Sequence, residues 1–310
     1  MRTLDGKSSW SRTRLLLAAV ALMLLLSPPS SLLAQATGNE AQGGAPVVIA
    51  RARQYDIKSK INGLTYRVMI LAPVNADPAI AYPVMYLLDG NATFPKASPA
   101  LNRPMPGNAI LVGIGYPTDD QSEFRRRRFV DLTPSVSKTP VPEKTGGGDA
   151  FFRVLEDEVK PFVMARYHID RTKQTIYGHS LGGLFVLRAL FRNPNAYSAY
   201  IISSPSIWYN DKEVLRDEEA FSKRARVGDL RLKVLVTSAG DEQYRGADPK
   251  LLAEGNAGRM VDNASELADR LALLDPKNIP VTRVIFPGET HGSVQGAALS
   301  RAVRFALPPE

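Results

Sequence analysis

The sequence predicts an α/β fold, in which helices cover both faces of a mostly parallel central sheet. Short apolar runs, typical of strands buried on both faces, recur along the chain, and segments of helical length lie between them. Strands that alternate with helices pair in parallel through right-handed crossovers. The 310 residues are 44% hydrophobic and 23% charged, which excludes a disordered chain, a coiled coil and a polytopic membrane protein.

The predicted strands begin with an antiparallel pair. Residues 47–58 and 64–73 alternate or run apolar on either side of Asn62-Gly63, a dipeptide that is typical of hairpin turns. The strands predicted after this pair are 82–88, 109–116, 174–177, 199–203, 232–238 and 281–286.

Helices are predicted between these strands, at 150–167, 181–191, 257–274 and 293–305. In the first helix, apolar side chains fall on one stripe and Asp149 is the expected N-cap. The second helix is apolar on all sides, so we expect it to be buried.

One connection is much longer than the others. Residues 117–148 show no periodic pattern and contain four consecutive arginines, Arg125 to Arg128, followed by prolines and three glycines. Loops of this length inside compact domains are usually functional lids or disordered segments. We expect this one to act as a lid over the functional site.

The N-terminus has the layout of a secretory leader. A basic start precedes the apolar run 15–26, and Ala34-Gln35-Ala36 places small residues at a cleavage site. We predict a signal peptide over 1–36, a flexible tether over 37–46 and a single domain over 47–310. The apolar run is short for a bilayer span. We therefore expect a periplasmic or secreted protein with no stable membrane span after cleavage.

Composition excludes several kinds of chemistry. The chain has no cysteine, which removes disulfides, thiol nucleophiles and cysteine-based metal sites. Its net charge of +8 is compatible with an anionic partner. However, no long basic arm or basic stretch interleaved with aromatic residues points to nucleic acid. We expect neither a cofactor nor a metal site.

The segment Gly178-His179-Ser180-Leu181-Gly182 matches the pattern G-x-S-x-G. A predicted strand precedes it and a predicted helix follows it, which is the context that a nucleophile elbow requires. The glycines leave room for a tight turn that exposes the serine hydroxyl. The free N–H groups at the start of the helix favour developing negative charge.

A serine hydroxyl needs a base to remove its proton, and the chain has three histidines. On an elbow, the side chain of His179 points away from that of Ser180. His168 precedes the nucleophile strand and therefore lies at the opposite end of the sheet. His291 directly follows the last predicted strand, at the edge where active sites of such sheets collect. We predict His291 as the base.

The acid that orients this histidine should lie after the penultimate strand. Asp241 and Glu242 both follow that strand at once, and the residues alone leave the choice between them open.

An oxyanion hole needs two backbone donors. The first predicted donor is the N–H of Leu181. The second should come from the loop after the strand at 82–88, where Asn91 is the leading candidate and Gly90 the next.

Four stretches of the chain together carry a family resemblance. They are YPVMYLLDGN at 82–91, RFVDLTP at 128–134, the elbow at 178–187 and SSPSIW at 203–208. On these motifs the chain resembles the esterase D-like branch of the α/β-hydrolases, and within it the bacterial siderophore esterases that open catecholate trilactones. The resemblance spans most of residues 47–305 and implies an α/β-hydrolase fold.

The resemblance also implies roles for particular residues. Relatives often carry a glutamate three residues after a glycine, and with Ala239 in place of that glycine the register assigns the acid to Glu242. Some siderophore esterases resemble Ser–His dyads, so a site without an acid remains an alternative. Arg128 falls where an arginine of the relatives faces an anionic ferric substrate, as paired guanidinium donors allow. Trp208 is expected to line the acyl or leaving-group pocket, with a place in the core as the alternative.

These observations predict an exported serine hydrolase that cleaves carboxylic esters through an acyl-enzyme. We expect a small-molecule ester as substrate, with an anionic siderophore trilactone as the most specific hypothesis. Feruloyl or acetyl esters, and acyl transfer to an acceptor other than water, are alternatives within the same fold. The alternative outside catalysis is a protein that binds an anion or an iron chelate. The Ser180 and His291 pattern argues against it.

Overall fold

The computed structural model describes residues 48–101, 108–141, 143–243 and 259–307. The predicted signal peptide (1–36) and tether (37–46) lie outside these ranges. Eight strands form one sheet in the order β1-β2-β4-β3-β5-β6-β7-β8. Their bounds are β1 Ala52–Lys58, β2 Thr65–Leu71, β3 Tyr82–Leu87, β4 Ile110–Gly115, β5 Ile169–His179, β6 Ala199–Ser203, β7 Lys233–Ala239 and β8 Val281–Phe286.

The pairing of the strands confirms the predicted fold class. β1 pairs antiparallel with β2, with Ala52 opposite Leu71, and β2 pairs antiparallel with β4. Every other pair of neighbours is parallel. β5 begins at Ile169, earlier than predicted, because its first part is polar and largely exposed and lacks the apolar run that marked the rest.

Helices cover both faces of the sheet. Their bounds are α1 Gly90–Ala97, α2 Gln121–Leu132, α3 Gly148–Arg153, α4 Lys160–Met164, α5 Leu181–Arg192, α6 Tyr209–Lys212, α7 Glu218–Val227, α8 Met260–Ala272 and α9 Gln295–Ala306. Along β3, Val84 and Tyr86 pack with α3, α5 and α8, whereas Met85 and Leu87 pack with α1 and α9. The two cores follow from the alternation of side chains along a strand. In the described ranges, no helix is both long and apolar enough to cross a bilayer.

The expectation of a patternless loop over 117–148 is wrong for its first half, which forms α2. Asp120 caps this helix, because its carboxylate accepts a hydrogen bond from the Ser122 N–H at 2.8 Å. The buried residues of α2 are Arg127, Asp131 and Leu132. Since two of the three are charged, a search for apolar periodicity does not detect the helix.

The second half of this connection is fastened to α6 and to the C-terminal end of α2. The Tyr209 hydroxyl donates to the Ser135 carbonyl at 2.9 Å, and Asn210 Nδ2 donates to the Val136 carbonyl at 2.9 Å. The N–H of Gly147 donates to the Val130 carbonyl at 2.8 Å. The action of this segment as a lid stays a prediction.

The helix predicted over 150–167 consists of α3, a π-helical turn at Val154–Val159, and α4. The prediction of Asp149 as its N-cap is wrong, because the N-cap is Gly147. Asp149 lies in the first turn, where its carboxylate pairs with Arg188 at 2.5 Å and with Arg192 at 3.4 Å.

Candidate active site

The chain makes a sharp turn at Ser180, between β5 and α5. Ser180 has φ 62° and ψ −119°, a conformation that non-glycine residues rarely adopt and that costs free energy wherever it occurs. The neighbouring glycines are sterically required. A β-carbon on Gly178 would lie 2.1 Å from the Gly182 carbonyl oxygen, and one on Gly183 would lie 2.7 Å from the Ser203 carbonyl oxygen. This is the geometry of a nucleophile elbow.

Three of the predicted site residues form one hydrogen-bonded series. His291 Nε2 lies 3.0 Å from Ser180 Oγ, and His291 Nδ1 lies 2.8 Å from Glu242 Oε2. The other Glu242 oxygen accepts a hydrogen bond from the Ala239 N–H at 3.0 Å, and the Glu242 side chain is 0% exposed. Asp241, the alternative acid, is exposed. The structure therefore brings Glu242, and not Asp241, to the histidine.

The sheet explains why residues so far apart in sequence meet. Ser180, Glu242 and His291 each follow the carboxyl end of a parallel strand, so they share one edge of the sheet. Beyond the strands, the Gly240 N–H donates to the Phe286 carbonyl at 2.7 Å and fastens the end of β7 to the end of β8.

The other two histidines are not hydrogen-bonded to Ser180 in the part of the chain that the structure describes. The buried His179 ring lies 4.7 Å from the His291 ring, and His179 Nδ1 is 3.3 Å from Ser203 Oγ. Burial, followed by the charges of His291 and Arg128, lowers the pKa of His179 to about 3. His179 is therefore neutral near pH 7. His168 is hydrogen-bonded to the Pro78 carbonyl at 3.1 Å, away from this edge.

The predicted backbone donors stand at the starts of two helices. Leu181 is the first residue of α5, and Gly90 and Asn91 are the first two of α1, where N–H groups have no carbonyl within their helix to bond. The Asn91 side chain fixes its turn, because its Oδ1 accepts from the Tyr116 N–H at 2.8 Å and its Nδ2 donates to the Tyr116 carbonyl at 2.9 Å. A β-carbon on Gly90 would lie 2.7 Å from the Ile114 backbone nitrogen, so only glycine fits.

Ser180 opens into a cleft of about 410 Å³, a volume within the usual range for small-molecule sites. Its wall is formed in part by α2. The residues that line the cleft are Asp89, Ala92, Gln121, Phe124, Arg125, Arg128, His179, Ser180, His291, Gly292 and Gln295.

The two residues predicted to bind substrate lie in different places. Arg128 lines the cleft, but its Nε and Nη2 donate to the two carboxylate oxygens of Asp89, each at 2.9 Å. Trp208 is half-buried against the core, 6.2 Å from the Tyr209 ring, and is not among the residues that line the cleft. Its contact with substrate stays a prediction.

Sequence reasoning missed two residues beside Ser180. Ser206 is buried, with its Oγ 3.4 Å from Ser180 Oγ, and its N–H donates to the Ser180 carbonyl at 3.1 Å. Asp89 is the partner of Arg128. Both lie within stretches that carry the family resemblance, 82–91 and 203–208. The resemblance is therefore the sequence signal that could have identified them.

A family model described as "Putative esterase" matches residues 59–271, more than half of the chain. The chain belongs to this esterase family. The predicted family is therefore confirmed, as is the predicted activity, that of a carboxylic ester hydrolase.

Individual relatives of this esterase cover most of its length. It is 36% identical over 269 residues to the ferri-bacillibactin esterase BesA of Bacillus subtilis, covering 82% of this chain and 89% of the relative. It is 33% identical over 278 residues to the siderophore triacetylfusarinine C esterase of Aspergillus fumigatus, covering 83% of this chain and 94% of the relative. The crystal structure of the BES protein from Bacillus cereus matches with a TM-score of 0.74 at 34% identity, covering 86% of this chain and 99% of that one.

Proposed function

We propose that this esterase hydrolyses siderophore esters, with Ser180 as nucleophile, His291 as general base and Glu242 as the acid that orients the histidine. The observation that carries the proposal is the hydrogen-bonded series from Ser180 Oγ through His291 to Glu242. The buried glutamate holds the Nδ1 proton of the imidazole, so that Nε2 is free to accept a proton.

In the proposed reaction, Ser180 Oγ attacks the ester carbonyl while His291 Nε2 takes the hydroxyl proton. The tetrahedral intermediate collapses as the C–O bond to the alcohol breaks, and His291 returns the proton to that alcohol. Water, deprotonated by His291, then attacks the acyl-enzyme, and the acid leaves as Ser180 regains its proton.

The N–H groups of Leu181 and of Asn91 or Gly90 are the proposed oxyanion donors. Both helix starts lie at the edge of the sheet that carries Ser180. Fixed donors of this kind stabilise the negative charge that develops on the carbonyl oxygen. Asp241 takes no part in the proposed reaction, because its side chain is exposed and Glu242 occupies the place beside His291.

The substrate class rests on the relatives. The Bacillus subtilis relative is a ferri-bacillibactin esterase, and the Aspergillus fumigatus relative is a siderophore triacetylfusarinine C esterase. An open cleft with Arg125 in its wall is compatible with a bulky anionic ester. We further propose that the protein is exported, with cleavage after Ala36, because residues 1–36 have the layout of a signal peptide.

The test compares the wild-type protein with Ser180→Ala on p-nitrophenyl butyrate and on a ferric catecholate trilactone. We expect Ser180→Ala to lose activity by about 10⁴-fold or more, because Ser180 carries the one hydroxyl that is hydrogen-bonded to His291 among the residues that the structure describes. A serine-reactive phosphonate should add once to the wild-type protein, at Ser180 by peptide mass, and not to the variant.

Retention of activity in Ser180→Ala would overturn the mechanism. Hydrolysis of p-nitrophenyl butyrate without hydrolysis of the trilactone would overturn the substrate and leave a simpler acyl ester. Binding of the ferric trilactone without turnover, in protein that labels with the phosphonate, would point to transfer of the acyl group to an acceptor other than water.

A further inference from the structure

The Asp89–Arg128 pair joins the cleft wall to the turn that carries one of the proposed oxyanion donors. Both carboxylate oxygens of Asp89 accept hydrogen bonds from the guanidinium, each at 2.9 Å. The two side chains are 8% and 18% exposed. Asp89 itself has φ 52° and ψ 44° and stands directly before Gly90 and Asn91.

The same carboxylate also lies against the start of the nucleophile helix. A β-carbon built on Gly182, in the first turn of α5, would lie 3.4 Å from Asp89 Oδ2. Asp89 therefore sits between the two helix starts that offer N–H groups to the reacting carbonyl, and it lines the same cleft as Ser180.

A carboxylate at this place has an electrostatic consequence for the reaction. Negative charge develops on the substrate oxygen in the transition state, and an unpaired carboxylate nearby would repel that charge and compete for the same donors. In a poorly solvated site such repulsion is only weakly screened. The guanidinium of Arg128 neutralises the carboxylate and leaves the helix starts available to the oxyanion.

We propose that Arg128 is a positioning residue that acts on the reaction through Asp89, by neutralising that carboxylate and fixing the turn before Gly90 and Asn91, and is not a direct contact of the substrate. The inference rests on the proposed function, because it assumes an oxyanion bound beside Ser180. Two of the three guanidinium nitrogens already bond to Asp89, which leaves little of the paired donor surface that a substrate anion would use.

The two roles predict different kinetics. If Arg128 acts through Asp89, Arg128→Met should lower kcat by about 100-fold, the usual effect of impairing an oxyanion hole, with KM nearly unchanged. If Arg128 instead contacts the substrate anion, the variant should raise KM for anionic esters alone.

The experiment measures kcat and KM on a neutral ester, p-nitrophenyl butyrate, and an anionic one, mono-p-nitrophenyl succinate. The variants are Arg128→Met, Asp89→Asn and the double variant Asp89→Asn/Arg128→Met. Asparagine tolerates the left-handed backbone conformation of Asp89, so this change removes the charge and leaves the turn. Arg126→Met, on the same helix but exposed and paired with Glu123, is the matched control and should keep wild-type kinetics.

The decisive result is recovery in the double variant. We expect the kcat of Asp89→Asn/Arg128→Met to be at least about tenfold higher than that of Arg128→Met on both esters, because no unpaired carboxylate remains. The rate of phosphorylation of Ser180 by diethyl p-nitrophenyl phosphate should follow the same order, since its oxygen occupies the same donors. A double variant no faster than Arg128→Met, or a rise in KM confined to mono-p-nitrophenyl succinate, would overturn the inference.

Two controls keep the outcomes separate. If Arg128→Met does not fold by circular dichroism, the double variant alone carries the test. It must keep kcat within about tenfold of wild type and an unchanged KM for the anionic ester. If the wild-type protein hydrolyses neither ester and does not label at Ser180, the proposed function fails. Wild-type turnover without recovery in the double variant overturns only the role of Arg128.

Discussion

Two sides of the cleft are held in place by different forces. The reacting edge, as we call the edge that carries the proposed triad of Ser180, Glu242 and His291, stands at the ends of buried parallel strands and is positioned by backbone hydrogen bonds and glycine contacts. The opposite side, which we call the wall helix (α2, Gln121–Leu132), is held by charged and polar side chains. Its apolar contacts come from the buried Leu132 and from Phe124 and Phe129, which are partly buried against the core, whereas its other two buried residues, Arg127 and Asp131, are charged.

Three polar contacts of the wall helix reach two other parts of the chain, the start of β2 and the turn after β3. Arg128 pairs with Asp89, Arg127 donates to the Thr65 carbonyl at 3.0 Å, and Asp131 accepts from the Tyr66 hydroxyl at 3.1 Å. Buried pairs of this kind add little net stability but cost much when one partner is removed. We therefore expect steric changes to damage the reacting edge and changes of charge to damage the wall helix.

Of the changes that test this contrast, we expect the greatest loss of activity from replacing the acid of the reacting edge. Glu242→Gln should lower kcat by about 10³- to 10⁴-fold, because an amide no longer stabilises the imidazolium that forms as Ser180 loses its proton. Asp241→Asn, the neighbouring and exposed carboxylate, should leave kcat within about twofold of wild type. Steady-state hydrolysis of p-nitrophenyl butyrate by both variants checks this. An equal loss of kcat in both variants would mean that contact with His291 does not identify the catalytic acid.

The second effect concerns the charge within the wall. Burial, opposed in part by Arg127, raises the pKa of Asp131 to about 7. The unfolded value is about 3.9, so the folded protein binds this proton more tightly than the unfolded chain. The stability that Asp131 contributes is therefore fully present below about pH 4 and is lost as the pH rises through 7, by an amount on the order of 4 kcal/mol.

Asp131→Asn removes this dependence, since the amide does not titrate. We expect the free energy of unfolding of the wild type, measured relative to Asp131→Asn by urea titration, to fall between pH 4 and pH 8. Asp119→Asn, at an exposed position before the same helix, should run parallel to the wild type. A difference in the free energy of unfolding between the wild type and Asp131→Asn that stays constant across this range would contradict a raised pKa of Asp131.

The third and smallest effect tests the steric fit of the reacting edge. Gly178→Ala would place a methyl group 2.1 Å from the Gly182 carbonyl oxygen, so we expect it to lower the free energy of unfolding by about 3 kcal/mol. Gly296→Ala, in α9 with nothing within 4 Å of the added carbon, should be neutral or raise stability by up to about 1 kcal/mol. Thermal and urea unfolding of the two variants measure the contrast. Similar stabilities would mean that the elbow tolerates repacking.

The same contrast explains what the sequence was able to predict. The elbow and its strand and helix were predicted because a local motif and an apolar run determine them together, and the parallel sheet then places His291 at the same edge. The residues alone could not decide whether Asp241 or Glu242 is the acid. It depends on which of two neighbouring side chains turns inward after β7, and only the family register favoured Glu242.

The wall helix was missed for a physical reason. Its buried positions are largely Arg127 and Asp131, whose partners Tyr66 and Thr65 lie about sixty residues earlier in the chain. Long-range polar pairing leaves no periodic trace in a sequence, so neither α2 nor the engagement of Arg128 by Asp89 was visible. Asp120 was the one local signal, since an aspartate followed by a glutamate three residues later is typical of a helix start.

The placement of the wall helix along the chain has a consequence for how such enzymes diversify. The wall and the segment returning from it form one uninterrupted stretch, 117–147, whereas the reacting groups all come later. Recombination or a graft can exchange that stretch without cutting the reacting edge. Asp89 and Tyr66 lie outside it, however. A graft that lacks counterparts of Arg128 and Asp131 leaves the Asp89 carboxylate and the Tyr66 hydroxyl of the recipient enzyme without these partners. An exchange that preserves the cleft would therefore have to transfer the stretch together with its distant partners, which include Asp89, Tyr66, Tyr209 and Asn210.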